Sequence, residues 1–361
     1  MKRKTKKVVS NLVVTAIMTT VVPVGIFAQE IGTKSEVKKE QKQNEISIQE
    51  DKSINYTKED AFYITPEGCI ESYSSYKGGI DVKIPPIIRG IKVTSIGDSA
   101  FLSDNIRSVE IPESVTSIGN YAFEGNQLTN IKIPNSVINI GNRAFRDNKL
   151  IHVEISNSAT SIGDIAFEGN KLTNVEIPES VTSIGNSAFE GNKLTTVEIP
   201  DSVTSIGTYA FASNELTNLK ISNSITSIED SAFRGNKLTN VEIPDSVTSI
   251  GDSAFSENQL ISVKIPDSIT NIGNFAFANN QLTNVKIPSG MIGEGAFYNN
   301  QLINVEILNK VTSIGSVSFK FNQLIDAEIP NSVTNIADDA FTDQYLNLYL
   351  KYKKIVMEII Y

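Results

Sequence analysis

Apolar and polar positions follow one repeating order along most of this chain. Over residues 172–193, LTNVEIPESVTSIGNSAFEGNK, a leucine is followed three residues on by Val-x-Ile, then by Pro. Val-Thr-Ser-Ile-Gly comes next, and Ala-Phe after it. The order returns from about residue 93 to about residue 346. Its beat is Phe101, Phe123, Phe145, Phe167, Phe189, Phe211, Phe233, Phe255, Phe277, Phe297, Phe319 and Phe341. Ten of the eleven intervals are 22 residues and one, Phe277 to Phe297, is 20. A fixed period in this range predicts a solenoid of about twelve stacked coils rather than one compact core.

Counting from each Phe, the apolar sites are +5, +8, +10 and +14. An Ile and an Ala follow, five residues and one residue before the next Phe. Val-x-Ile has period two, which predicts a short parallel strand in every coil with Val and Ile inward. The Pro at +11 ends that strand by removing a ladder donor. Thr-Ser-Ile predicts a second short strand, and Gly-x-x-Ala-Phe a tight turn or single helical turn. One coil cannot recover the entropy of ordering itself from so few apolar side chains, so stability requires stacking.

Asn stands at +3 in ten of the twelve coils, among them Asn126, Asn148, Asn170 and Asn192 beside Phe123, Phe145, Phe167 and Phe189. An amide at a coil corner can satisfy backbone groups that a turn leaves unpaired, which predicts a structural ladder. A glycan-binding row is the other reading. In the 20-residue interval the Val at +14 is missing, so Met291 is expected to fill part of the hole. A kink or weak point is expected near residues 288–297.

The pattern L-x-x-V-x-I-P-x-S-V-x-x-I-G-x-x-A-F resembles the bacterial BspA-like leucine-rich repeats, over about residues 80–346. The resemblance implies a right-handed leucine-rich-repeat solenoid, β-rich within the α/β class, with export and surface roles in adhesion or host contact. It brings no catalytic residues. Members often carry Cys at the site held here by the +3 Asn, so this chain lacks a thiol ladder.

Outside the repeats, residues 1–28 read as a secretory signal peptide. Lys2, Arg3, Lys4, Lys6 and Lys7 precede an apolar run from Val8 to Phe27, and an uncleaved anchor is the competing reading. Residues 29–58, rich in Lys, Glu and Gln, read as a flexible linker. Residues 59–92 read as an N-terminal cap with a hairpin around Pro66-Glu67-Gly68 and a divergent first coil carrying a five-residue insertion. The solenoid then spans residues 93–346, and residues 347–361 read as a C-terminal cap or tail.

The formal charge is −9, and the five N-terminal basic residues leave −14 on the remainder. An acidic body argues against nucleic-acid or anionic-membrane partners. One Cys (Cys69) and one His (His152) form no ligand set for a typical zinc or transition-metal site, and no cofactor is expected. A carboxylate-only calcium site stays open, although no EF-hand loop is present. His152 reads as an exposed imidazole and Cys69 as a small apolar filler. Paired carboxylates are spread through the repeats and not confined to one cleft, so they mark no single acid/base site, and an enzyme is not expected.

Position +9 is always charged and faces solvent beside the inward Val and Ile. Its run Glu154-Glu176-Glu198 has no internal counter-charge. That run is a candidate docking site for a basic partner surface or a cation. The alternative is a solvated face kept charged against sheet-to-sheet aggregation. Together these readings describe a monomeric, secreted or cell-surface scaffold for extracellular or host proteins, or else a spacer of the envelope without a ligand.

Overall fold

The computed structural model describes residues 55–344 and 349–351. The expected signal segment, most of the expected linker and most of the expected C-terminal cap or tail lie outside them. The end of the expected linker is tied down: the Thr57 N–H donates to the Lys83 carbonyl at 3.0 Å, and its hydroxyl accepts the Lys83 N–H at 2.8 Å.

The entry cap is a hairpin of two antiparallel strands, Phe62–Ile64 and Cys69–Tyr73, turned at Gly68 with φ +90°. A four-residue helix, Ser75–Gly78, is the one α-helix among the described residues, so the helical share of the fold is confined to this cap. The five-residue insertion is a second, smaller hairpin, Ile87–Ile88 against Ile91–Lys92 around Arg89 and Gly90.

Beyond the cap the chain is a parallel β-solenoid of about twelve coils with three walls. The first wall is built from two-residue strands at Thr-Ser-Ile. Ser95–Ile96, Ser117–Ile118, Asn139–Ile140 and Ser161–Ile162 pair in parallel, one coil apart. The glycine after most of these strands allows this approach, with Ala337 at the site in the last coil. A Cβ on Gly163 would lie 2.6 Å from the Gly141 carbonyl carbon. One coil carries Glu229 there instead, and the sheet is interrupted between Ser205–Ile206 and Ser227–Ile228. The widest ring spacing in the phenylalanine column, 5.8 Å between Phe211 and Phe233, falls at the same junction.

The second wall is the Ala-Phe turn. Every second N–H donates to the following coil, as in Ser99 to Asn120, Phe101 to Ala122 and Ser103 to Glu124. The residue two before Phe takes positive φ (58° at Tyr121, 57° at Arg143), so the turn is left-handed at that point and not helical. Behind it the rings from Phe101 to Phe341 form one continuous stack, with centroids 4.8–5.8 Å apart and planes within 14°. Tyr73 closes its N-terminal end, 5.0 Å from Phe101.

The +3 amides run beside the rings. Asn170 Nδ2 donates to the carbonyls of Phe145 (2.9 Å) and Phe167 (3.1 Å), and its Oδ1 accepts the Leu150 N–H at 3.0 Å. Each such Asn therefore ties its own turn to the coil before it. A second ladder, at −3, has no repeated letter to announce it. The side-chain oxygens of Asp98, Asn120, Asn142 and Asp164 accept, in turn, the N–H of Asn120, Asn142, Asp164 and Asn186.

The shortened interval does not break the solenoid. Asn284–Ile292 is an unbroken strand with two irregularities in its pairing to Asn304–Ile314. Met291 does not fill a hole. It aligns with Asn271, at a site held elsewhere by polar residues, and is 51% exposed. Two residues are lost between Pro288 and Ile292, and Met291, immediately before the inward Ile292, falls on the outward phase of the strand. Gly290, at φ +90°, passes close under Thr270. The strand's long partner carries Leu308 at the Pro position, but Pro288 itself lies within Asn284–Ile292, so the expectation that this Pro ends the strand fails in this coil. At the far end Tyr349–Lys351 adds in parallel to Asp326–Glu328.

Candidate functional site: the charged wall

The third wall carries Val-x-Ile with its outward charge at +9. Val153, Val175 and Val197 are buried, while Glu154, Glu176 and Glu198 point outward. The expected continuous sheet is not what forms here. Coils pair in short groups: Lys83 with Glu110, Lys132 with Glu154, Glu198 with Lys220, Glu242 with Lys264, and Lys286 with Glu306. All five of these junctions join opposite charges. Three of the four like-charge junctions, Glu154/Glu176, Glu176/Glu198 and Lys264/Lys286, are open, and Glu306/Glu328 is closed. Two opposite-charge junctions, Glu110/Lys132 and Lys220/Glu242, are open as well. Charge alone therefore does not decide the pairing. Like charges one coil apart do repel, and an exposed three-residue ladder has little else to hold it shut.

Ion pairs cross the closed junctions. Lys83 meets Glu110 at 2.7 Å, Lys132 meets Glu154 at 3.3 Å, and Lys286 meets Glu306 at 3.1 Å. Lys220 bonds Glu198, and that hydrogen bond, then the charge itself, holds its ammonium above the ordinary lysine value. Lys132 and Lys220 each stand between two glutamates along the wall, and each pairs with one, the junction on its other side being open.

Of the three candidate glutamates, Glu154 is engaged by Lys132, with His152 Nε2 3.9 Å away, and Glu198 is engaged by Lys220. Glu176 makes no ion pair among the described residues. Between Glu154 and Glu176 the wall opens into a groove of about 400 Å³, bordered by Lys132, His152, Asn157 and Asn174. A second groove of about 550 Å³ lies at the open junction of Lys220 and Glu242. The structure thus brings Glu154 and Glu176 to one groove and leaves Glu198 with the next pair of coils.

His152 is half-exposed on this wall, and among the described residues that line its groove there is no Ser or Cys. Cys69 sits at the start of an entry-cap strand with its Sγ 3.8 Å from the Ile70 carbonyl oxygen. Among the described residues no three His, Cys, Asp or Glu side chains converge as metal ligands.

A parallel solenoid of 22-residue coils, with an internal phenylalanine stack and an amide ladder, is a leucine-rich-repeat architecture. The sequence pattern of the BspA type leucine rich repeat region matches residues 94–217, 139–257, 205–299 and 226–348, and the chain belongs to that family. A leucine-rich repeat protein from Bacteroides ovatus has a similar structure. It is 23% identical over 83% of this chain and 90% of that one, with a TM-score of 0.54, which agrees with the fold. A leucine rich cell surface protein from Faecalibacterium prausnitzii is 25% identical over 78% of this chain and 83% of that one, at a TM-score of 0.44. The pneumococcal vaccine antigen PcpA is 17% identical over 80% and 83%, at 0.45. Among curated proteins none matches the chain.

Proposed function

We propose that this chain is a secreted or surface-displayed scaffold that binds extracellular or host proteins through its charged wall. The observation that carries the reading is the contrast between walls. On the Ala-Phe turn the backbone groups are spent on the neighbouring coil, whereas the Val-x-Ile wall has open junctions, grooves and an outward charge in every coil. Membership in a leucine-rich-repeat family supports a scaffold, since stacked repeats present extended binding surfaces. The basic start and apolar run of residues 1–28 support export.

The test is a pull-down with residues 29–361 against serum and extracellular-matrix proteins, alongside the triple variant Glu154→Lys, Glu176→Lys, Glu198→Lys. A protein retained by the wild-type chain and lost by the folded triple variant is the expected result. Equal retention by both would move the binding site off this wall. No retained protein at micromolar concentration would favour an envelope spacer.

A further inference from the structure

The coil around Glu176 differs from every other described coil on the charged wall: its Val-x-Ile segment pairs with neither neighbour. At closed junctions the Ile after the charged residue donates across, as Ile133 does to the Glu154 carbonyl and Ile199 to the Lys220 carbonyl, both at 2.9 Å. No such bond links Ile155 to Glu176 or Ile177 to Glu198, and the backbone of residues 174–177 makes no hydrogen bond to another described residue. The main-chain oxygens of this segment are therefore free to accept from a ligand.

The groove beside it has an apolar floor, Val153, Val175 and Ile155, and a rim of carboxylate and amide oxygens from Glu154, Glu176 and Asn174, with His152 and Lys132, which already engages Glu154, also on its border. An aliphatic stem with a planar cationic head fits both parts. The stem covers the apolar floor while the head reaches the oxygens at the rim. Arginine meets the description better than lysine, because its five donors lie in a flat fork that can serve two carboxylates and a carbonyl together. Charge complementarity points the same way: the chain beyond residue 28 is strongly acidic, and Glu176 lacks the lysine that engages each of its neighbours.

We propose that the opening between Glu154 and Glu176 receives an arginine side chain from an extended segment of the bound protein. The guanidinium bridges the two carboxylates, with its remaining donors on the free backbone carbonyls of Asn174 and Glu176, which alternate with that of Val175 and face the preceding coil. This assignment rests on the reading that the charged wall binds protein, and it names the chemistry recognised there.

The experiment titrates the full chain with three capped pentapeptides, Gly-Gly-X-Gly-Gly, where X is arginine, lysine or citrulline, at low and at high salt. Binding is followed by amide chemical shifts or calorimetry. The arginine peptide is expected to bind more tightly than the citrulline peptide, by about fivefold at low salt and less at high salt. Glu176→Gln should abolish that margin. Glu242→Gln, on the same wall but in a coil bridged to Lys264, should retain it. The proposal is overturned if the arginine peptide fails to bind at millimolar concentration, if lysine or citrulline binds equally well, if Glu176→Gln keeps the margin, or if both variants lose it alike. A protein partner captured equally by the wild-type chain and Glu176→Gln would leave the wall's binding role standing while ending the arginine assignment.

Discussion

Gln344 Nε2 donates to the Phe319 carbonyl at 2.6 Å, and its Oε1 accepts the Leu324 N–H at 3.1 Å. It thereby repeats, one methylene longer, what Asn322 does for Phe297 and Leu302 in the coil before. The amide function, rather than the asparagine residue, is what the corner requires. It seals a buried N–H of one coil to the turn of the next.

Asn170→Ala should therefore cost about 3 kcal/mol or more, since it leaves the buried Leu150 N–H and a share of two carbonyls unpaired. Hydrogen exchange checks the mechanism. Protection of the Leu150 amide should collapse while that of Leu282, served by Asn300, is unchanged.

The ring column makes its own prediction. Phe189 is fully buried between Phe167 and Phe211, each 5.4 Å away. Phe189→Ala should cost about 3–5 kcal/mol, measured by denaturant unfolding, because neighbours tied at fixed spacing cannot collapse into the hole.

Asp104 occupies the corner site of the first coil, where later coils carry Asn. Burial raises its pKa, and its one side-chain partner is the Ser75 hydroxyl at 3.3 Å. A carboxyl whose folded value lies above its unfolded value, about 3.9, binds more protons when folded. Stability should then fall as pH rises from that value through the folded one. Burial first, and the Asp104 charge second, push Tyr73 up to about 12, so stability should fall again between about pH 10 and 12 as the unfolded tyrosine ionises more readily. Asp104→Asn should raise the melting temperature near neutral pH and flatten the acidic limb. An unchanged acidic limb would show that Asp104 is not its source.

At the interrupted first wall, Glu229→Gly should let the coils of Phe211 and Phe233 close. Gly207 and Gly251 already donate to Ile184 and Ile228 at 2.9 and 2.7 Å. The expected outcome is new exchange protection at the amides of positions 226 and 229, offset in stability by about 1 kcal/mol of glycine entropy. Amides there that exchange as fast as before would separate the interruption from the glutamate.

The period made much of this architecture legible. The buried sites, the phenylalanine stack and the row of Asn126, Asn148, Asn170 and Asn192 all follow from residues that recur as letters. The −3 ladder does not, because Asp98, Asn120 and Asp164 share only a side-chain oxygen at a common offset, and a search for that oxygen would have found it. Which wall carries the longer ladder was also hidden. It depends on contacts between residues a full coil apart, where Glu176 faces two other glutamates and Gly163 needs the space above Gly141. Met291 was misplaced for a simpler reason: with two residues lost, the site opposite Val311 falls to Gly290, and Met291 aligns with the outward Asn271 just before the inward Ile292.

Gly290 shows what departing from a whole number of coils demands. The chain there economises on two residues by turning through a backbone conformation that other side chains resist, and a Cβ would meet the Thr270 oxygen at 2.4 Å. Adding or deleting an entire 22-residue unit asks for no such concession, because the phenylalanine stack and the amide ladder recur from coil to coil. The reach of the molecule can therefore change in quanta, by duplication of complete units, without redesign of either end.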